Sequence, residues 1–489
     1  MSPGMKRRQC LQLGALASLP AWAQRGFDTP PPPGPARALR WPALERASLP
    51  NGLEIWVARK PGGLPLVTAL LQVGAGSLHD PAGKAGLAEL TLAVMAKGAR
   101  RGDETMDAAD LAHAAESLGS ALDIEVLPDC ARLALTVGTA RLEEAVNLLA
   151  DVACRPTLLA AELERSRAQA LDALTLSLAD APLLAGELAQ RLFWGETPRG
   201  RLATRASLAR LRRDDLLACH RQLLRPDSSR LILAGDVELA EAIELAEAFF
   251  ADWQAPRQPL PALPLLSPQP LAPALLLDLP EAGHCAVLLA APGPALGVDA
   301  APAQVAQAVL GQGYSSRLNQ ELRIKRGLSY GSSSQAEALP GAGCWRLGAQ
   351  TRPERAAEVA QLMRAELLRL AREPVPEAEL AARQAALLGE LGRAPDTSAG
   401  LALLVAEQAR QGRGQQALAD WPAALRAVRP VQLQALAGAL WRPEALRCVV
   451  VGDLKGARVE EELRRQWPGA WLLRAQELDL GSRTLRKGA

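Results

Sequence analysis

Along this chain, short apolar runs alternate with longer stretches in which apolar residues recur every three or four positions. Leu53–Ala58, following the turn Asn51-Gly52, and Leu66–Val73 read as strands, as do Ala121–Glu125, Ala131–Val137 and Arg230–Ala234. The helical period fits Ala85–Ala96, Asp107–Leu118, Leu142–Ala153, Leu159–Leu178 and Arg213–Leu224. A proline-rich segment over residues 256–273 excludes both a helix and a central strand, so it reads as an inter-domain linker.

The chain after this segment repeats the pattern before it. Arg225-Pro226-Asp227 leads into an apolar run ending in Gly235-Asp236, and Arg442-Pro443-Glu444 into one ending in Gly452-Asp453. Pro443 follows Pro226, and Gly452 follows Gly235, by the same 217 residues, and Arg447 corresponds to Arg230. A repeat of that length indicates a duplicated domain.

At 489 residues the chain is too long for one compact core. The net charge of +2 gives no reason to expect nucleic acid or an acidic membrane surface as partner. Aromatic residues make up 3%, so the core must be built mainly from Leu, Ala and Val. Lys6-Arg7-Arg8, the apolar run from Cys10 to Pro20 and Ala21-Trp22-Ala23 form the pattern of an export signal over residues 1–23, and residues 24–37 form a proline-rich spacer. Arg7-Arg8-Gln9-Cys10-Leu11 fits a twin-arginine (Tat) signal, with an ordinary Sec signal as the alternative. Either predicts a periplasmic protein without a stable membrane anchor. Cleavage leaves Cys130, Cys154, Cys219, Cys285, Cys344 and Cys448, with no C-x-x-C pair. Cys285 and Cys344 lie in strand-like runs and are candidates to pair; buried free thiols are the alternative.

The segment Gly86-Leu87-Ala88-Glu89-Leu90-Thr91-Leu92-Ala93-Val94-Met95-Ala96-Lys97-Gly98 resembles the zinc-binding helix of the M16 (pitrilysin/insulinase) metallopeptidases, with its inverted H-x-x-E-H motif. That chemistry needs two imidazoles four residues apart on one helix face and a carboxylate beside the metal-bound water. Here Glu89 and Ala93 stand at the ligand positions and Leu92 at the general-base position. The third ligand falls on Ala173, or on Asp172 if the alignment slips by one. No zinc site is expected in this chain, and His79, His113, His220 and His284 are too scattered to supply one. Leu49-Pro50-Asn51-Gly52-Leu53, Val73-Gly74-Ala75-Gly76-Ser77, Trp194-Gly195 through Gly200, and Leu224-Arg225-Pro226-Asp227 through Val237 extend the resemblance over most of the chain.

The match is most specific from Gly311 to Tyr330, which resembles the family's G-G-G-x-S-S-R-L-x-x-x-[IV]-R-E-x-x-G-L-x-Y. The resemblance implies that Arg323 and Tyr330, seven residues apart, bind substrate and oxyanion in a zinc site carried by another M16 half. A structural ion pair for Arg323 is the alternative. The implied fold is α+β: two homologous M16-type (LuxS/MPP-like) halves, residues 38–255 and 274–475, each with an antiparallel-rich sheet packed by helices, before a tail at 476–489. The implied function is the non-catalytic subunit of a heterodimeric peptidase. It would bind no cofactor itself, take zinc from a zinc-bearing M16 partner and act on unstructured peptides. A catalytically inactive M16-fold protein that binds peptides or scaffolds an assembly is the alternative.

Overall fold

The computed structural model describes residues 41–454 and 457–488. The expected signal, the spacer and the first residues of the N-terminal half lie outside the described residues. Trp41–Ala489 forms one compact unit.

The N-terminal half contributes β1 (Leu44–Ser48), β2 (Glu54–Arg59), β3 (Leu66–Val73), a small hairpin of β4 (Gly98–Arg101) and β5 (Glu104–Asp107), then β6 (Asp123–Val126), β7 (Ala131–Gly138) and β8 (Ser229–Gly235). Its main sheet has the order β1-β2-β8-β3-β7-β6, with β2 and β8 parallel and the other pairs antiparallel. The C-terminal half contributes β9 (Ala274–Asp278), β10 (Cys285–Gly293), β11 (Ser332–Ala338), β12 (Gly343–Thr351), β13 (Arg447–Gly452) and β14 (Trp471–Arg474). The order there is β11-β12-β10-β13-β9-β14. Five strands superpose in order and direction: β2-β8-β3-β7-β6 corresponds to β9-β13-β10-β12-β11, each with one parallel pair at the same place. The duplication read from the 217-residue offset is therefore a duplication of topology. The halves differ at one edge, where β1 joins β2 antiparallel but β14 joins β9 parallel.

Both sheets are buried on two faces, which explains why β3 is apolar along most of its length rather than alternating. Val67, Ala69, Leu71 and Val73 face the half's own helices, while Leu70 joins Trp56, Ile232 and Ala234 in a second core. That second core is closed by a helix of the opposite half, Ser398–Arg410, through Leu401, Ala402, Val405, Ala406 and Ala409. The exchange is reciprocal. Helix Ala181–Trp194 of the N-terminal half lies on β9, β10 and β13. Alternate residues of β9 consequently belong to different cores, Ala274 and Leu276 to one, Leu275 and Leu277 to the other.

Residues 256–273 form neither helix nor strand, as the prolines require, but they are anchored: Leu266 N donates to Pro340 O and Leu271 N to Leu192 O. The residues after β14 fold back over the N-terminal half. Leu480 and Leu485 enter its core, and Arg191 donates to Ser482 O at 3.2 Å. The pairing considered for Cys285 and Cys344 does not form. In the β10–β12 ladder Cys285 lies opposite Thr351 and Cys344 opposite Pro292, so they occupy opposite ends. Seven rungs separate them by about 24 Å, against the ~4.4–6.8 Å between Cα atoms that a disulfide needs. All six described cysteines are free thiols.

Candidate functional site

The helix Leu87–Met95 is held at its start by Asp80. That carboxylate accepts from Gly86 N (2.8 Å), Leu87 N (3.0 Å) and Ala88 N (2.9 Å), three of the donors a helix leaves unpaired. Gly86 is needed there, because its φ is +94° and a Cβ would meet Leu208 at 2.9 Å. Burial pushes the Asp80 carboxyl up to about 7, with neighbouring Glu89 adding to the effect, against the three backbone N–H groups.

Glu89 and Ala93 both open on to solvent, four residues apart on one helix face. Leu92, at the general-base position, points into the core with 1% of its surface exposed. The helix Ala160–Ala179 lies alongside and leaves Asp172 and Ala173 exposed. A recess of about 220 Å³ opens beside Glu89, and Leu174, rather than Ala173, contributes to its wall together with Asp80, Glu187, Arg199 and Arg201. The protein mass around Glu89 pushes its carboxyl up, and Arg199 pulls it back. Glu187 is likewise pushed up by burial and accepts from Ser177 Oγ at 2.6 Å.

These residues do not fit zinc. Protein zinc sites are built on His nitrogen or Cys sulfur, with a carboxylate at most completing the set, whereas the recess offers only carboxylates, one of them committed to a helix N-terminus. Among the described residues no three His, Cys, Asp or Glu side chains form a metal-binding group. His79 and His220 are engaged with backbone: His79 Nε2 donates to Pro261 O at 3.3 Å and His220 Nε2 to Ala153 O at 2.8 Å. His113 and His284 are exposed.

The other candidate pair lies in the C-terminal half. Residues 319–324 form a π-helical turn, a geometry that concentrates at functional sites. It presents Arg323 with its guanidinium 4.8 Å from the centre of the Tyr330 ring. Gly327, at φ +60°, ends the turn, and Tyr330 stands 88% exposed in the bend before β11. A structural ion pair does not form: among the described residues Arg323 meets no carboxylate, while its neighbours Lys325 and Arg326 share Glu321.

Sequence reasoning passed over three residues here. Tyr314 lies on the Arg323 guanidinium at 5.2 Å, so both tyrosines of the chain flank one arginine. Each such contact contributes about 0.5–1 kcal/mol at an exposed site. The buried Asn319 ties together the two loops that carry the tyrosines: its Nδ2 donates to Gly313 O (2.9 Å) and its Oδ1 accepts from Ser332 N (3.0 Å). Arg199 bridges the halves through Glu337. The count of two tyrosines was the one signal for Tyr314; the role of Asn319 depends on the course of the loops on either side of the π-helical turn, and that of Arg199 on a contact remote in sequence. No hydrogen bond, ion pair or ring contact among the described residues joins Arg323 or Tyr330 to Glu89, so the two candidate groups are separate sites within this chain.

Two sequence patterns of one peptidase family match the chain in tandem: "Insulinase (Peptidase family M16)" over residues 62–185 and "Peptidase M16 inactive domain" over residues 210–387. An uncharacterized zinc protease of Mycobacterium leprae is 28% identical over 357 residues, which cover 72% of this chain and 79% of that protein. Among solved structures, a protease from Helicobacter pylori matches with a TM-score of 0.77 and 18% identity, over 84% of this chain and all of that one. The peptidase M16 inactive domain from Pseudomonas fluorescens matches with a TM-score of 0.75 and 22% identity, over 84% and 98%. These structural likenesses establish a shared fold. With the two patterns spanning more than half its length on that fold, the chain belongs to the M16 (insulinase/pitrilysin) peptidase family and carries the domain described as inactive.

Proposed function

We propose that this chain is the non-catalytic subunit of a two-chain M16 zinc peptidase, exported to the periplasm by its N-terminal signal. Zinc belongs to the partner subunit, and this chain supplies Arg323 and Tyr330 to the shared site. The observation that carries the reading is the asymmetry between the two groups. The metal positions are Glu89, Leu92 and Ala93, one of them core-facing, whereas Arg323 and Tyr330 stack on each other with the phenol exposed.

The chemistry follows from those side chains. An exposed phenol hydroxyl donates a hydrogen bond to the oxyanion that develops when a peptide carbonyl is attacked. A guanidinium with no carboxylate partner keeps its planar set of donors available for a substrate carbonyl. The Mycobacterium leprae relative is described as a zinc protease. That chemistry does not carry over to a chain with Ala93 and Leu92 at the corresponding positions.

Reconstitution tests the reading. The mature chain is purified alone and with a zinc-bearing M16 subunit from the same organism, and cleavage of a short unstructured peptide is followed. Activity should need both chains and fall with Tyr330→Phe. A partner that is fully active alone, or unaffected by Tyr330→Phe, sinks it. Tight peptide binding by this chain alone, without cleavage in either case, would identify a peptide-binding or assembly protein instead.

A further inference from the structure

We propose that Tyr314 is a positioning residue for Arg323: its ring holds the guanidinium together with the ring of Tyr330. This rests on the reading that Arg323 and Tyr330 act on a peptide carbonyl. The resemblance to the family specifies no residue at position 314, and its role comes from this fold alone.

The cations nearest Arg323 in sequence are confined by carboxylates. Arg317, six residues earlier, is held in this way by Glu379, with Nε and Nη2 donating at 2.8 and 2.9 Å. Lys325 and Arg326 share Glu321. Arg323 meets no carboxylate among the described residues, and its guanidinium lies 5.2 Å from the Tyr314 ring and 4.8 Å from the Tyr330 ring. Ring faces restrain a cation without occupying its N–H donors. The guanidinium can therefore be both placed and unsatisfied, which a salt bridge would not allow.

The two tyrosines are not equivalent. Tyr330 is 88% exposed and Tyr314 63%. If the Tyr330 hydroxyl turns toward a substrate, its ring moves with it, and the Tyr314 face still holds Arg323. The frame for this is Asn319. It bonds the carbonyl of Gly313, next to Tyr314, and both the amide and the hydroxyl of Ser332, two residues past Tyr330. Gly313, at φ +81°, supplies the turn that brings Tyr314 back over the π-helical segment.

The chain has two tyrosines, so labelling with 3-fluorotyrosine gives two ¹⁹F resonances, assigned with Tyr314→Leu and Tyr330→Phe. Arg323→Ala should move both resonances, and Tyr314→Leu should move the remaining Tyr330 resonance through the released arginine. In the assembled enzyme, Tyr314→Leu should lower kcat on the order of tenfold with KM little changed, and Tyr314→Phe, which keeps the ring, should restore it. A Tyr330 resonance unmoved by Tyr314→Leu overturns the proposal, as does a Tyr314→Leu enzyme of full activity while Arg323→Ala is impaired. If neither Arg323→Ala nor Tyr330→Phe affects the partner's activity, the functional reading fails instead. The ¹⁹F comparison then decides the positioning role by itself.

Discussion

Arg199 donates from Nε and Nη2 to the two carboxylate oxygens of Glu337, at 3.0 and 2.9 Å, and so clips the N-terminal half to the edge strand β11 of the C-terminal half. The two side chains keep 13% and 20% of their surface exposed. Arg199 also lies close enough to Glu89 to pull its carboxyl down. One guanidinium thus ties together the two halves and offsets charge in the recess beside Glu89.

Removing one partner of that clip should cost more than removing both. Arg199→Ala and Glu337→Gln should each lower the stability of the chain by about 2–4 kcal/mol, since each strands a largely buried polar partner. The double variant should lose less than the two single losses combined. Urea denaturation of the four proteins in a double-mutant cycle measures the coupling.

The Asp80 carboxyl should make stability depend on pH. Its folded value is raised to about 7, so in the range between about 4 and 7 the folded chain holds a proton that the unfolded chain has released. That contribution is present in full below the unfolded value and is lost as pH rises through about 7. Asp80→Asn removes the titration but weakens the helix start by about 1–2 kcal/mol. The gap in Tm between the original chain and the variant should therefore narrow from pH 4.5 to pH 7.5. A gap that widens would show that the three N–H donors, not burial, dominate this carboxyl.

Restoring the ligand residues should not restore a zinc site. Glu89→His with Ala93→His places two imidazoles on one exposed face, and calorimetry with zinc should show weak binding at most, because neither candidate for the third position, Ala173 or Asp172, lines the recess beside Glu89. Adding Leu92→Glu should destabilise the chain by several kcal/mol, since that side chain is 99% buried in the core. Thermal unfolding of the double and triple variants separates these effects.

The C-terminal segment should be required for folding of the N-terminal half. Leu485 is fully buried in that half's core, so Leu485→Ala should cost about 2–5 kcal/mol. Truncation after Arg474 should cost at least as much. Denaturation midpoints of the three proteins test this directly.

Much of the fold is legible in the sequence. The run Leu66–Val73 is the observed strand, and the helix expected over 142–153 ends one residue later, at Cys154. Strand β1, the helices Ala181–Trp194 and Leu239–Phe250, and most helices of the C-terminal half, Ser398–Arg410 among them, went unread, the first because Leu44–Ser48 buries little but Leu44. The hairpin β4–β5 was unread too, because it is largely exposed and carries little apolar signal. At the site, Arg323 and Tyr330 were singled out by the family resemblance, whereas Tyr314, Asn319 and Arg199 were not.

The sequence alone determined the duplication, the absence of both imidazoles and of a carboxylate at Leu92 from the segment resembling the inverted motif, and the presence of a phenol and a guanidinium seven residues apart. These are properties of side-chain chemistry and of local period, and they need no knowledge of distant contacts. Only the tertiary structure decided that each half covers the other's sheet with one helix, that Cys285 and Cys344 sit at opposite ends of a ladder, and that Arg323 is held by two rings rather than by a carboxylate. The first two depend on where the chain returns after tens or hundreds of residues, and the third on the side-chain orientations set by the π-helical turn and the loops on either side of it. Burial of apolar surface sets that course as a whole, and no local pattern encodes it.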